Sequence, residues 1–121
     1  MCLRALLLPL VLMLVSISSV VVLADGKALY ETSCQSCHGN EGHGDGAGVP
    51  QAMLKPRPFS AGAFKFDTDA DWEKGTDSDL ANVIKNGTAA YGGSTLMPPW
   101  SSLTDGEIGE LVVYVRELQI R

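Results

Sequence analysis

Cys34-Gln35-Ser36-Cys37-His38 decides the fold: two thiols three residues apart, with a histidine directly after the second. This C-x-x-C-H order is the pattern of covalent c-type haem attachment. Each thiol adds to one vinyl group of a single porphyrin, and the adjoining imidazole is then held beneath the iron as its proximal axial ligand. Cys34 and Cys37 are therefore the expected cofactor-binding residues and His38 a metal ligand. Two rival readings are weaker. A thioredoxin-like redox pair needs strands alternating with helices around it, and the flanking sequence suggests none. A zinc site needs four ligands in a tetrahedron; Cys34, Cys37 and His43 offer three, and no second cysteine pair follows.

The rest of the chain is organised to serve that pentapeptide. Of 121 residues, the first 24 read as an export signal: Arg4 gives a positive start, residues 5–23 are an apolar run, and Val22-Leu23-Ala24 supplies small residues before a cleavage point. Cleavage after Ala24 is expected, with an uncleaved membrane anchor as the alternative, because the run approaches the length that spans a bilayer. Either outcome exports residues 25–121, so a periplasmic location is expected, soluble rather than anchored. Cys2 leaves with the signal, and only the two haem thiols remain. A domain of this size buries only about 60–65% of its chain surface. A large apolar cofactor would add much of the missing burial.

Charge excludes one class of partner. Residues 25–121 hold eight Lys and Arg against fourteen Asp and Glu, a net charge of −6. Nucleic acid is excluded, since phosphate binding depends on a basic surface. Docking to a basic protein surface is permitted, and solubility alone explains the charge equally well.

Downstream, residues 25–34 read as a first helix, with Gly26, Tyr30 and Cys34 on one face at a spacing of four. Residues 39–58 hold five glycines and three prolines and read as a loop that wraps a haem edge. Within it the Pro50 carbonyl is placed to accept the Nδ1–H of His38, while His43 reads as a solvent-exposed side chain. Phe59, Phe64 and Phe66 are pocket walls. Asp67, Asp69, Asp71, Glu73, Asp77 and Asp79 read as a solvated acidic surface, because a calcium loop wants a stricter pattern ending in a glutamate. Thr76-Asp77-Ser78-Asp79 opens a short helix with Leu80, Val83 and Ile84 on its apolar side, and Asn86-Gly87 stops it. Thr104-Asp105-Gly106-Glu107 is a second capping box, before Ile108, Leu111, Val112, Val115 and Leu118 at helical spacing. No repeat and no convincing strand is found, so the fold class is all-α with long loops.

Between these last two helices, the loop of residues 88–102 carries Met97-Pro98-Pro99. A thioether is a soft ligand suited to haem iron, and two prolines stiffen the loop that would present it. Met97 is the expected second metal ligand. Met53, in the glycine loop, is the competitor and reads as pocket lining.

Residues 25–121 resemble the small class I cytochromes c, monohaem proteins. The resemblance rests on Gly26-x-x-x-Tyr30-x-x-x-Cys34, on Cys34-x-x-Cys37-His38-Gly39, on Pro50, on Met97-Pro98 in a late loop, and on a final helix with Leu111 and Tyr114. It implies a cytochrome c-like fold, three to four helices and long loops around one covalently attached haem c. Cys34 and Cys37 would form the thioethers and His38 and Met97 the axial pair on iron, with Gly26, Tyr30, Leu111 and Tyr114 at the crossing of first and last helices. The expected function is one-electron transfer between redox protein partners, a donor and an acceptor, by a monomer that meets a membrane only if its N-terminal segment is uncleaved. Two alternatives stay open: the haem c subunit of a periplasmic dehydrogenase or reductase complex, and a haem enzyme or sensor with a displaceable sixth ligand. A carrier is favoured over an enzyme, since the Met97 loop offers no distal acid, base or arginine and no catalytic residue is assigned.

Overall fold

The computed structural model describes residues 24–50 and 52–121. The expected signal segment and its boundary with the following domain lie outside the described residues. Four α-helices follow in chain order: α1 (Gly26–Ser33), α2 (Gln35–His38), α3 (Asp77–Asn86) and α4 (Asp105–Gln119), with short 3-10 turns at Phe59–Ala61 and Thr88–Tyr91. No strand occurs among the described residues, as the all-α reading requires.

Each long helix begins where a side chain satisfies its free N–H groups. Asp25 sits one residue outside α1 and accepts from the Lys27 N–H at 3.1 Å. It acts as a cap rather than as the first helical residue. Thr76 and Thr104 are the N-caps of α3 and α4, and in both the third helical residue, Asp79 or Glu107, returns a bond to the cap backbone. Both capping boxes read in the sequence are therefore formed.

The longest helix, α4, carries most of the core. Ile108, Leu111, Val112, Tyr114, Val115 and Leu118 are buried along one side, at the spacing that puts them on one face. Tyr30 from α1 and Ile84 from α3 join them in one cluster. α1 crosses α4 at Gly26, where a Cβ would overlap the Glu110 carbonyl oxygen and come within 3.3 Å of the Tyr114 Cβ. Only glycine lets the two backbones approach that closely. Above the crossing, the Tyr30 and Tyr114 rings meet tilted with centroids 5.2 Å apart. Gly26, Tyr30, Leu111 and Tyr114 thus form the crossing that the resemblance implied.

The acidic segment departs from its sequence reading. Most of its carboxylates are exposed, but Asp79 is 1% exposed and lies beneath the surface. It accepts from the Thr68 N–H and hydroxyl and from the Thr76 N–H and hydroxyl. Burial pushes this carboxyl up, yet the Thr68 and Thr76 bonds outweigh it and hold the group down at about 2. Asp79 was not a surface charge because its position as the third residue of a capping box aims it back into the loop. Arg116 of α4 completes the attachment, donating to Asp77 Oδ1 at 2.8 Å and to the Gly75 carbonyl at 2.6 Å.

Candidate functional site

Cys34 is the joint between α1 and α2: its N–H donates to the Tyr30 carbonyl at 2.8 Å, and its own carbonyl accepts from His38 N–H at 2.9 Å. One helical turn therefore fixes both thiols and the imidazole relative to one another. Both cysteines are unpaired and half-buried. Burial, and then the neighbouring Cys37, pushes the Cys34 thiol up to about 11.

The His38 imidazole lies flat against the Phe59 ring, with centroids 5.0 Å apart and planes 19° apart. Burial lowers its basicity, so the ring is held in the neutral form that binds metal. Immediately beyond it, the Gly39 carbonyl accepts from the buried Tyr30 hydroxyl at 2.7 Å, and the His38 carbonyl accepts from Gly44 N–H at 2.8 Å. The Pro50 carbonyl does not serve His38. It accepts from Met53 N–H at 2.9 Å, closing a turn of its own, and the buried His38 Nδ1 has no partner. His43 is exposed, as its place in a glycine loop suggested.

Met97 is half-buried and packs against the cluster that also receives Cys34, Phe59, Leu80 and Trp100. Its competitor, Met53, is 47% exposed. The Met97 loop is bound to α3 by the Trp100 N–H, which donates to the Ile84 carbonyl at 3.0 Å. Thr88 adds a hydroxyl bond to the Ser94 carbonyl at 2.5 Å. Of the phenylalanines, Phe59 lies against His38, Phe64 stacks on Phe59 at 6.4 Å, and Phe66 packs instead on Tyr91 at 6.3 Å.

These residues suit a haem. Two unpaired thiols, a half-buried imidazole whose buried Nδ1 is left without a partner, and half-buried Leu80, Met97 and Trp100 around a small core are the donor set and the apolar lining that such a group requires.

The family model described as cytochrome C oxidase, cbb3-type, subunit III matches residues 22–115. The chain belongs to this family of c-type cytochromes. Cytochrome c-555 of Prosthecochloris aestuarii is 31% identical over 101 residues, covering 77% of this chain and 84% of that one. The cbb3-type cytochrome c oxidase subunit CcoP of Azospirillum sp. (strain B510) is 34% identical over 103 residues, 78% of this chain but 28% of the subunit. Among solved structures, a chain of the reducing HAO-like protein complex of Kuenenia stuttgartiensis superposes with a TM-score of 0.64 at 36% identity, covering 77% of this chain and 40% of that one. The cytochrome thus spans about a quarter of the length of the oxidase subunit and less than half of the solved chain. It is a small monohaem class I cytochrome c, an electron-transfer protein with covalently bound haem c and iron.

Residues outside the motif also shape the site, and sequence reasoning did not assign them. Phe59 was read as a wall without its partner His38, since a stack between residues 21 apart depends on how the loop returns. The Gly39 acceptor of Tyr30 was likewise unforeseen, although a glycine directly after the C-x-x-C-H run was a visible signal.

Proposed function

We propose that this cytochrome is a periplasmic carrier of single electrons between protein partners, with haem fixed through Cys34 and Cys37 and iron ligated by His38 and Met97. One observation carries the reading: the two free thiols and the His38 imidazole share one helical turn, and the half-buried Met97 packs on the same core as Cys34. The haem, when bound, supplies reversible one-electron chemistry. The chain's own residues do the rest. His38 and Met97 would hold the iron, Phe59 orients the imidazole by stacking, and Leu80 and Trp100 exclude water. With iron held by both residues, carrying electrons would be favoured over binding a substrate. The apolar run at residues 5–23 supports export, and a soluble protein follows if the chain is cut after Ala24.

A second reading is favoured by the comparisons, which include a subunit of a cbb3-type cytochrome c oxidase and a chain of a reducing HAO-like protein complex. In that reading the same domain is the haem c subunit of a larger assembly.

Met97 is the ligand to test. The parent protein is expected to show the absorption signature of methionine ligation and to resist carbon monoxide. Met97→Ala should lose the signature and bind carbon monoxide or imidazole readily, and Met53→Ala should change neither. If Met53→Ala removes the signature and Met97→Ala spares it, the assignment is reversed; a parent that binds carbon monoxide quickly contradicts the carrier reading.

A further inference from the structure

Gly87 ends α3 eleven residues before Pro98 and is buried against the segment that carries Met97. Its backbone has φ +74° and ψ 160°. That combination lies in the region that is essentially closed to any residue with a side chain. The conformation is tied down from within, because the Gly87 N–H donates to the Val83 carbonyl at 2.9 Å. It is also pressed from without. A Cβ here would stand 2.9 Å from the Met97 carbonyl oxygen, 2.9 Å from the Pro99 nitrogen and 3.1 Å from the Pro98 carbonyl carbon. All three are backbone atoms, and two belong to prolines, so none can rotate aside as a flexible side chain would. The next turn of the same helix end holds the loop's far side, through Trp100 N–H on the Ile84 carbonyl at 3.0 Å.

We propose that Gly87 is a positioning residue for the sixth ligand: its bare Cα is the seat on which the Met97-Pro98-Pro99 backbone rests, and so fixes how far the thioether reaches toward iron. The inference rests on reading Met97 as that ligand. A side chain at 87 would displace the segment bodily, because α3 behind it is anchored to the core by Ile84 and cannot retreat. The structure also supplies an internal control. Gly92, in the same loop region, has φ +77°, but a Cβ there meets nothing within 4 Å. Substitution at 92 therefore adds backbone strain without pushing on Met97.

The experiment uses the haem-loaded protein and compares Gly87→Ala, Gly92→Ala and Met97→Ala for the methionine absorption signature, the reduction potential and the rate of carbon monoxide binding. Gly87→Ala should retain covalent haem, weaken the signature and speed carbon monoxide binding by roughly ten- to a hundredfold, the factor that corresponds to relieving Gly-only strain by moving the segment. Gly92→Ala should match the parent in all three. The proposal is overturned if Gly87→Ala keeps the parent's signature and carbon monoxide resistance, or if Gly92→Ala loses them equally. A Met97→Ala protein that keeps the signature instead removes the ligand assignment and the proposal with it. Should Gly87→Ala fail to load haem, Pro99→Ala decides: it leaves Gly87 in place and loosens the segment seated on it, so a partial loss of signature is expected and an unchanged one rejects the seat.

Discussion

The two sides of the haem site are built on different principles. On the His38 side, five consecutive residues and one helical turn bring two thiols and an imidazole together, the hydrogen-bonding supports Tyr30 and Gly44 lie within nine residues of His38 or its neighbour Gly39, and the stacked Phe59 ring alone is brought in from farther along the chain. On the Met97 side less is local, although the loop holds a bond of its own from the Thr88 hydroxyl to the Ser94 carbonyl. The methionine's position depends on α3, ten residues or more earlier in the chain, through Gly87 and Ile84, and on packing against the core. Local bonds survive partial unfolding, whereas tertiary contacts are lost with the element that makes them. The methionine face is therefore the part expected to loosen first, and the histidine face the part that holds.

The largest effect comes from removing the local side altogether. Cys34→Ser with Cys37→Ser should abolish haem that survives acid and organic extraction, since no other thiol lies among the described residues. Intact-mass measurement reads the outcome directly, and a fully loaded double variant contradicts covalent attachment through these residues. The same measurement gives the N-terminus; a mass beginning before Asp25 points to an anchored protein.

A smaller effect is expected where α3 starts. Asp79 has a folded value near 2 against an ordinary 3.8, so its ionised form is favoured by folding. A lowered carboxyl stabilises the fold at pH above 3.8, and this contribution disappears as pH falls from 3.8 through 2. At about 1.4 kcal/mol per pH unit, the gain is about 2 kcal/mol. Asp79→Asn should cost about that much more at pH 7 than at pH 2, by chemical or thermal unfolding; a cost common to both pH values is also expected, because the new amide NH2 turns a donor toward the Thr68 or Thr76 N–H. Because α3 also carries Gly87, the methionine signature should fade in this variant before the covalent haem is affected. Equal losses at both pH values would remove Asp79's charge from the account.

The smallest effect is on the histidine side. Tyr30→Phe deletes the bond to the Gly39 carbonyl, which keeps only its longer bond from Gly42 N–H at 3.3 Å, at about 1 kcal/mol. Stability should fall by that amount while the methionine signature stays unchanged, because the loss falls on the locally braced face. A spectrum altered as much as in Asp79→Asn would show that the two faces are not independent.

How much of this was legible follows the same division. The C-x-x-C-H run, both threonine capping boxes and the apolar face of α4 were readable because each depends on residues within four or fewer positions of one another. The Gly26 crossing was readable through its spacing with Tyr30 and Cys34 and through the family resemblance. What was misread was long-range. Asp79 looked like one more surface carboxylate until Thr68, eleven residues earlier, was folded over it. Pro50 was offered to His38, but its carbonyl closes a turn with Met53.

By itself, then, the sequence determined the cofactor chemistry, the all-α class and the ends of the helices, because covalent spacing and helix capping act over one or two turns. Only the tertiary structure decided that Phe59 stacks on His38, that Asp79 is buried, and that the Pro50 carbonyl turns to Met53. Those outcomes depend on which loop reaches which helix. Loop paths are set by backbone hydrogen bonds and close approaches between distant residues, such as Gly87 against Pro99, that no local pattern encodes.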